Sequence, residues 1–160
     1  AACFSLLRHA TRPSAPQVLH LLDHVVFNAL IGNHDAHAKN FSLLYTGKFP
    51  VLAPLYDTLS TAIYENLTPK MAMKIGSRYK FSEVQARHWD QFAESTGLGR
   101  AQTRKRILEL AQSLPKIARQ LQSKKELGFA ENPLVEQIIA LIEQRAALTI
   151  RRMTEPQGEA

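Results

Sequence analysis

The sequence predicts a mainly helical domain with one small β-hairpin near its start. Apolar residues recur at helical spacing in three stretches, at 15–31, about 82–97 and 133–150. Two short apolar runs, at 41–45 and 49–53, flank a glycine-containing turn, which is the pattern of a hairpin. With 160 residues, of which 45% are hydrophobic, the chain is long enough for one domain, or one lobe of a larger one, with a packed core.

The first predicted helix, over residues 15–31, leads directly into a polar segment, Asn33–Asn40. Ser14 followed by Gln17 resembles a capping box, and Gly32 is suited to end the helix. The apolar stripe of this helix consists of Val18, Leu21, Leu22, Val25, Val26, Ala29 and Leu30.

The hairpin follows the polar segment. Pro50 lacks a backbone N–H, so it should lie at a strand start or on a sheet edge. Because a hairpin brings together the residues that flank it, Asn40 is expected near residues 54–57.

The later elements follow from the same rules. They are a loop at 58–70, a short strand at 71–75, a helix opened by Ser82 and Gln85 and closed by Gly97 and Gly99, a long helix at 101–127 that Pro115 should kink or divide, a last helix starting at Asn132-Pro133, and a disordered tail at 154–160.

Charge and composition limit the function classes. The chain carries 20 Lys and Arg against 14 Asp and Glu, a formal charge of +6. A basic run at 100–125 contains Glu109 as its lone acid, and it is either the solvated face of a helix or a surface for nucleic acid or an acidic partner. A single cysteine, Cys3, excludes an intramolecular disulfide and fits a reducing compartment. No apolar run reaches the length of a membrane span, and the start has neither an initiator Met nor a signal-peptide pattern. We therefore expect a cytoplasmic protein with further residues upstream and no membrane partner.

The polar segment carries the groups that phosphoryl transfer requires. That reaction needs an acceptor for the hydroxyl proton and positive charge around the phosphate. Asp35 is a candidate proton acceptor, and Asn40 and Asp57 offer the oxygen ligands that Mg²⁺ prefers. Lys39 adds positive charge toward the transferring phosphate. The helix before these residues and the hairpin after them strengthen the kinase interpretation.

Two alternatives concern metal chemistry. The string Gly-Asn-His-Asp at 32–35 also occurs in metal-dependent phosphatases, which need an upstream Asp-x-His strand and several later histidines. Here a predicted helix precedes the string and only His88 follows His37, so this alternative is the weaker one. His20 and His24 lie one helical turn apart, as zinc ligands can, but no third ligand accompanies them. Asn28, on the same side of the helix, either hydrogen-bonds the catalytic segment or is an ordinary polar residue near a helix end.

The stretch at 27–45, with the pattern Gly-Asn-x-Asp-x-His-x-Lys-Asn-x-Ser and followed by Leu55-Tyr56-Asp57, resembles the HipA family of serine/threonine kinase toxins. The resemblance covers most of the chain and weakens past about residue 125. It implies that residues 1–153 are the C-terminal, mainly helical lobe of a divergent protein-kinase-like fold, with the catalytic segment at 32–57. By this resemblance Asp35 is the catalytic base, Asn40 and Asp57 hold magnesium and bind the nucleotide, and His37, Lys39 and Tyr56 line the nucleotide phosphates.

The same resemblance implies ATP and Mg²⁺ as cofactors and a role as the toxin of a bacterial toxin–antitoxin pair. The implied partners are a helix-turn-helix antitoxin and a protein substrate such as an aminoacyl-tRNA synthetase, with DNA reached only through the antitoxin. The sequence contains no glycine-rich phosphate loop and no strand lysine paired with a helix glutamate. We therefore expect the isolated chain to bind ATP weakly and to phosphorylate nothing unless the missing N-terminal part is supplied. A non-catalytic lobe that binds an antitoxin, or DNA through the basic run, is the alternative.

Overall fold

The computed structural model describes residues 1–155, which form five α-helices and two small antiparallel hairpins. The helices are α1 (Ala2–Ala10), α2 (Ser14–Ile31), α3 (Ala86–Thr96), α4 (Arg100–Gln122) and α5 (Pro133–Thr154). The strands are β1 (Leu43–Leu44), β2 (Val51–Leu52), β3 (Lys70–Ile75) and β4 (Arg78–Lys80), paired β1–β2 and β3–β4. Single 3₁₀ turns lie at Ala38–Asn40, Thr61–Ile63, Phe81–Glu83 and Lys125–Leu127. The mainly helical class with an early hairpin is confirmed, whereas α1 and strand β4 were not predicted.

Helix α2 is the centre of the core. Its residues Leu21, Leu22, Val26 and Leu30 are at most 1% exposed. The helix packs against α1, α4, α5 and strand β2, so its apolar stripe is covered on several sides. A helix covered in this way is held rigidly, because close packing leaves its side chains few alternative positions. Its C-terminal end is therefore a fixed point from which the polar segment starts.

Gly32 ends α2 and turns the chain toward the site. Its φ of 76° lies in the left-handed region, which glycine adopts without strain. The N–H of Asn33 donates to the carbonyl of Asn28 at 2.9 Å, and the Gly32 N–H donates to the same carbonyl, which closes the helix with a Schellman-type turn. The predicted helix stop is confirmed.

The first hairpin is anchored to α2 by Gln17, which the sequence had placed in a capping box at the start of the helix. Leu43 pairs with Leu52, and the amide of Leu52 donates to Gln17 Oε1 at 2.7 Å. Helix α2 begins after Pro13 with no side-chain cap, so the predicted capping box of Ser14 and Gln17 is wrong. Gln17 instead satisfies a strand N–H, which fixes the hairpin beside the helix.

The later helices differ from prediction mainly at their ends. Helix α4 continues through Pro115 without dividing and ends at Gln122, before a 3₁₀ turn. Asn132 caps α5 as predicted, accepting from the amides two and three residues later. Helix α5 ends at Thr154, the first residue of the segment 154–160 that was predicted to be disordered; residues 156–160 of that segment lie outside the described residues.

The arginines of the basic run bind carboxylates on neighbouring helices. Arg104 holds Asp90 of α3 through two hydrogen bonds, of 2.8 and 2.5 Å. Arg106 holds Asp23 of α2 at 2.5 and 2.8 Å. Because bidentate arginine–carboxylate pairs fix orientation as well as distance, these contacts align α4 with the helices beside it.

A third arginine of α4 joins it to α5. Arg119 donates to Glu143 at 2.7 and 2.8 Å and to Glu136 at 2.6 Å. The Arg119 hydrogen bond holds the pKa of Glu143 below its usual value. None of the helices within residues 1–155 combines the length and apolarity needed to cross a bilayer.

We predict that Gly32→Ala destabilises the fold far more than Gly128→Ala. Both glycines have positive φ, 76° and 67°, so alanine adds backbone strain of about 1–2 kcal/mol at either position. A Cβ at Gly32 would also lie 2.7 Å from the Cβ of Ala62 and 2.7 Å from Cδ2 of Leu141, whereas a Cβ at Gly128 would meet nothing within 4 Å. Urea unfolding should show a loss of about 3 kcal/mol for Gly32→Ala, the sum of strain and overpacking.

The Gly128→Ala variant measures the strain alone and is the matched control. Equal losses for the two variants would contradict the close packing of Gly32 against the Thr61–Ile63 turn and α5.

Candidate active site

Asn33 joins the parts of the site. The residue is 4% exposed and lies two positions after Ile31, the last residue of α2. Asn33 Nδ2 donates to Asn28 Oδ1 at 2.8 Å and to the carbonyl of Asp57 at 3.1 Å. Asn33 Oδ1 accepts from the amide of Asp35 at 3.0 Å. One buried amide therefore fixes the helix end, the base candidate and the second carboxylate relative to one another.

Asn40 and Asp57 meet across the base of the first hairpin, as predicted. Asn40 Nδ2 donates to Asp57 Oδ2 at 2.5 Å. Asp57 has a φ of 54°, a left-handed conformation that aspartate tolerates better than most residues. The hydrogen bonds from Asn33 and Asn40 hold it in that conformation. A non-glycine residue kept at positive φ beside a candidate site is typical of functional positions.

Asp35 and His37 form a second, exposed pair. The Asp35 side chain is 61% exposed, so a substrate hydroxyl has access to its carboxylate. His37 Nδ1 lies 2.8 Å from the Asp35 carbonyl and 3.0 Å from Asp35 Oδ1. Both partners are acceptors, so Nδ1 carries the proton and donates. The imidazole thus restricts the orientation of the carboxylate.

Tyr56 braces the segment that carries Lys39 and Asn40. Its hydroxyl donates to the Lys39 carbonyl at 2.8 Å and lies 2.6 Å from Ser42 Oγ. The Lys39 side chain is exposed, and the structure ties only the backbone of this residue to the site. Tyr56 therefore closes the base of the hairpin.

The oxygen groups fit a magnesium ion. Asn40 Oδ1 is buried and has no hydrogen-bond partner within the described chain, next to the Asp57 carboxylate. A buried oxygen without a partner is unfavourable unless a ligand satisfies it. Mg²⁺ is commonly held by one or two protein oxygens together with waters and phosphate oxygens. Among residues 1–155, no three His, Cys, Asp or Glu side chains are grouped so that they could hold a metal ion by themselves.

His34 is enclosed by contacts from three later segments. Its amide donates to Thr61 Oγ1 at 2.9 Å, and its carbonyl accepts from the amide of Ala72 at 2.7 Å. Its ring Nδ1 lies 3.1 Å from the Thr68 carbonyl. The residue between Asn33 and Asp35 is therefore fixed on both its backbone and its side chain.

A cleft of about 660 Å³ opens beside the catalytic segment. Asn33 and Ala36, which precede and follow Asp35 in the sequence, line this cleft, and most of the other lining residues are apolar. Phe4, Met71 and Phe92 are among these apolar residues. The cleft lies between α1, α2, β3 and α3, so it adjoins the segment without enclosing the Asp35 carboxylate.

The structure brings together Asp35 with His37, Asn40 with Asp57, and Tyr56 with the Lys39 backbone. The open alternative for Asn28 is settled, because it binds the Asn33 amide. His24, the second zinc candidate, instead stacks on the ring of Phe41 with centroids 6.4 Å apart.

Sequence reasoning did not identify Asn33 and His34 as parts of the kinase site. Asn33 could have been found from its place, since a polar residue directly after a glycine helix stop lies close to the orphan groups of the helix end. The sequence around His34 contains no comparable indication.

Comparisons with known proteins identify the family of the chain. The family model for the HipA-like C-terminal domain matches residues 1–118. A protein of Sinorhizobium fredii (strain NBRC 101917 / NGR234) named "Putative kinase Y4mE" is 47% identical over 126 residues, which cover 78% of this chain and 30% of the relative.

Two further comparisons concern Shewanella oneidensis. Its "Serine/threonine-protein kinase toxin HipA" is 30% identical over 112 residues, covering 70% of this chain and 26% of the relative. The solved complex of HipA, HipB and operator DNA from strain MR-1 contains a chain that is similar with a TM-score of 0.67 at 27% identity, covering 94% of this chain and 34% of that one.

The chain thus spans about a third of the length of the relatives it matches. The match of the family model to most of the chain, together with the structural likeness, shows that the chain belongs to the family of HipA-like C-terminal domains.

Proposed function

We propose that this chain is the catalytic lobe of a serine/threonine protein kinase that transfers the γ-phosphate of ATP to a protein hydroxyl. The observation that carries the proposal is the Asn33 amide, which binds the backbone of both Asp35 and Asp57. A base candidate and a metal-ligand candidate held by one rigid group are the arrangement that phosphoryl transfer requires, since catalysis there is mostly positioning and charge stabilisation.

Each residue has a distinct role in the proposed reaction. Asp35 accepts the proton of the substrate hydroxyl, and its exposure permits that contact. His37 orients the Asp35 carboxylate through its Nδ1 proton. Lys39, whose side chain is exposed, supplies positive charge toward the transferring phosphate. Tyr56 holds the backbone of this segment from the opposite side of the hairpin.

Asn40 and Asp57 would hold Mg²⁺ through Asn40 Oδ1 and the Asp57 carboxylate. When bound, the ion neutralises negative charge on the nucleotide phosphates. The buried Asn40 Oδ1 without a partner supports this assignment, because a cation supplies the interaction that the described chain does not.

The wider role rests on the family. We propose that the protein of which this lobe is a part acts as the toxin of a toxin–antitoxin pair. The similarity to a chain of the Shewanella oneidensis complex, which contains HipA, HipB and operator DNA, supports a DNA-binding antitoxin as its partner. An aminoacyl-tRNA synthetase as substrate stays a prediction from the family resemblance. The need for an N-terminal part is consistent with relatives about three times as long as the matched segment.

The binding-lobe alternative has less support from the basic run. Arg104, Arg106 and Arg119 are bound to carboxylates of neighbouring helices, which reduces the charge they offer to DNA. The phosphatase alternative is weakened because a helix, α2, and not a strand precedes Gly32.

We predict that two isosteric changes distinguish the role of the base from that of the metal ligand. ATP binding by the chain alone, monitored by NMR titration, should be weak and should depend on Mg²⁺. Asp57→Asn should abolish this Mg²⁺ dependence, whereas Asp35→Asn should change the affinity by no more than about twofold. In a chimera in which this chain replaces the matching third of the Sinorhizobium fredii relative, either change should lower phosphate transfer from radiolabelled ATP by about 10³-fold or more.

The wild-type chain without the upstream part should transfer no phosphate. Robust transfer by this chain alone would refute the proposed dependence on the missing part. Unchanged transfer by the Asp35→Asn chimera would overturn the catalytic assignment and favour the binding-lobe alternative.

Asn33→Ala should loosen both halves of the site at once. The change removes three hydrogen bonds of a buried amide and leaves the Asp57 carbonyl and the Asp35 amide without their partner. We expect a stability loss of about 2 kcal/mol in urea unfolding, with faster hydrogen exchange at the Asp35 amide. Asn66→Ala, in an exposed turn, is the control and should change stability by less than about 0.5 kcal/mol. A loss of similar size in both variants would argue against the joining role of Asn33.

A further inference from the structure

Arg145 of α5 reaches the catalytic segment from far along the chain. It lies 111 residues after His34, and its side chain is drawn into the interior, leaving the residue 9% exposed. Arg145 Nη1 donates to the carbonyl of Ala29 in the last turn of α2 at 2.8 Å. Arg145 Nη2 lies 2.9 Å from His34 Nε2. One guanidinium therefore contacts the helix before the site and the residue inside it.

The donors and acceptors define the state of the His34 ring. A guanidinium has only donors, so His34 Nε2 must accept from Arg145. The proton of the neutral ring then lies on Nδ1, where it donates to the Thr68 carbonyl at 3.1 Å. Both ring nitrogens are thus occupied, and the ring has one orientation and one tautomer.

The guanidinium lies close to an aromatic ring and to the turn after α2. Its Cζ lies 4.5 Å from the centroid of the Phe81 ring. A Cβ added to Gly32 would be 3.5 Å from Cζ, so little space separates the turn from the guanidinium. Burial lowers the pKa of Arg145 to about 10, so the side chain stays charged near neutral pH.

The groups around His34 determine how readily its ring is protonated. A cleft of about 310 Å³ in front of the pair is lined by Arg145 of α5 and by Tyr64 and Glu65 from the loop before β3. Burial lowers the pKa of His34 first of all, the Thr68 hydrogen bond raises it, and the charge of Arg145 lowers it. Protonation would place a hydrogen on Nε2, facing the guanidinium donors.

We propose that Arg145 is a positioning residue for phosphoryl transfer, acting through His34 to hold the Asn33–Asp35 turn against the end of α2. The inference rests on the proposed function, because it concerns the placement of the base Asp35. Arg145 lies beyond residue 118, where the match to the family model ends, and neither ATP nor the substrate hydroxyl needs to touch it.

Loss of the guanidinium changes the turn on two sides. Without it, Nε2 and the Ala29 carbonyl lose their donor, and only the hydrogen bond to the Thr68 carbonyl still favours the Nδ1-protonated tautomer. His34 is the residue between Asn33 and Asp35, so movement of its ring and backbone shifts the base Asp35. Misplacement of a reacting group by about 1 Å lowers rates by about 10²-fold.

The first test uses the chain itself and a spectroscopic signature. Nitrogen-15 NMR of the His34 ring should show the Nδ1-protonated tautomer in the wild type and in Arg152→Met. Arg152, on the same helix, also donates to backbone carbonyls, those of Ser82 and Val84, but it makes no hydrogen bond to the Asn33–Asn40 segment. Arg145→Met should give a mixture of tautomers and faster exchange of the Asp35 amide. An Asp35 amide that exchanges as slowly in Arg145→Met as in the wild type would overturn the inference.

The second test measures kinetics in the chimera with the Sinorhizobium fredii relative. Arg145→Met should lower kcat by about 10- to 100-fold and change the KM for ATP by no more than about twofold, since the nucleotide is assigned to Asn40 and Asp57. Arg145→Lys should recover part of kcat, because it keeps the charge but has one donor nitrogen in place of two. Arg152→Met should leave kcat unchanged. Equal losses for Arg145→Met and Arg152→Met would show a merely structural role.

A pH profile tests the link through His34. The folded protein lowers the pKa of His34, so protonation of the ring destabilises the fold. The stability that the neutral ring contributes is fully present above pH 6.5, its ordinary pKa, and is lost as the pH falls from there through the lower pKa of the folded protein. His34→Gln keeps one acceptor for Arg145 and one donor for Thr68 without a titrating group. We expect this variant to retain kcat within about threefold and to show a smaller decline of kcat at acidic pH than the wild type. An inactive His34→Gln variant that is fully folded would contradict the proposal.

The tests separate the two conclusions. A wild-type chimera that transfers no phosphate would refute the proposed function, and the hydrogen-exchange measurement on the chain would still decide whether Arg145 holds the turn. An active chimera with an unaltered Arg145→Met variant would refute the positioning role alone.

Discussion

The site depends on a single buried amide, that of Asn33. An asparagine side chain offers donors and an acceptor on a short stem, and here both ends are used: Nδ2 binds Asn28 and the Asp57 carbonyl, and Oδ1 binds the Asp35 amide. An aspartate could not donate, and a glutamine would displace these contacts by one carbon atom. Because α2 is enclosed by other elements and ends directly before Asn33, the rigidity of the core is transmitted to the two carboxylates through this one group.

Arginine serves two physically different purposes in this lobe. On α4, Arg104 and Arg106 are partly exposed and pair with carboxylates of neighbouring helices, where screening by water makes each pair worth little alone. On α5, Arg145 is buried and binds a carbonyl and an imidazole. Removing a partner from a buried charged group costs more than breaking a surface pair. Net charge therefore says less about the function of these residues than their depth does.

The sequence predicted helices α2 to α5, the early hairpin and the meeting of Asn40 with Asp57, because these follow from local periodicity and from the closure of a hairpin. It failed where a side chain acts at long range. Gln17 was assigned to its own helix end but binds strand β2. Arg145 reaches His34 across 111 residues, and no local pattern encodes such a contact. The roles of Asp35, His37 and Lys39 in chemistry stay predictions, since geometry alone shows where they lie and what they contact.

The closure of the hairpin base has a consequence for how this family can vary. Asn40 and Asp57 are joined directly, and Tyr56 ties the two sides of the hairpin together at Lys39 and Ser42. The distal turn lies beyond these ties and is open to solvent, with Tyr45 79% exposed. Lengthening a solvent-exposed turn adds little closure entropy, and the geometry of the base is set without it. Insertions or deletions at 45–49 are thus free to accumulate among homologues, and the spacing between Asn40 and Asp57 is a poor criterion for recognising this site in a sequence.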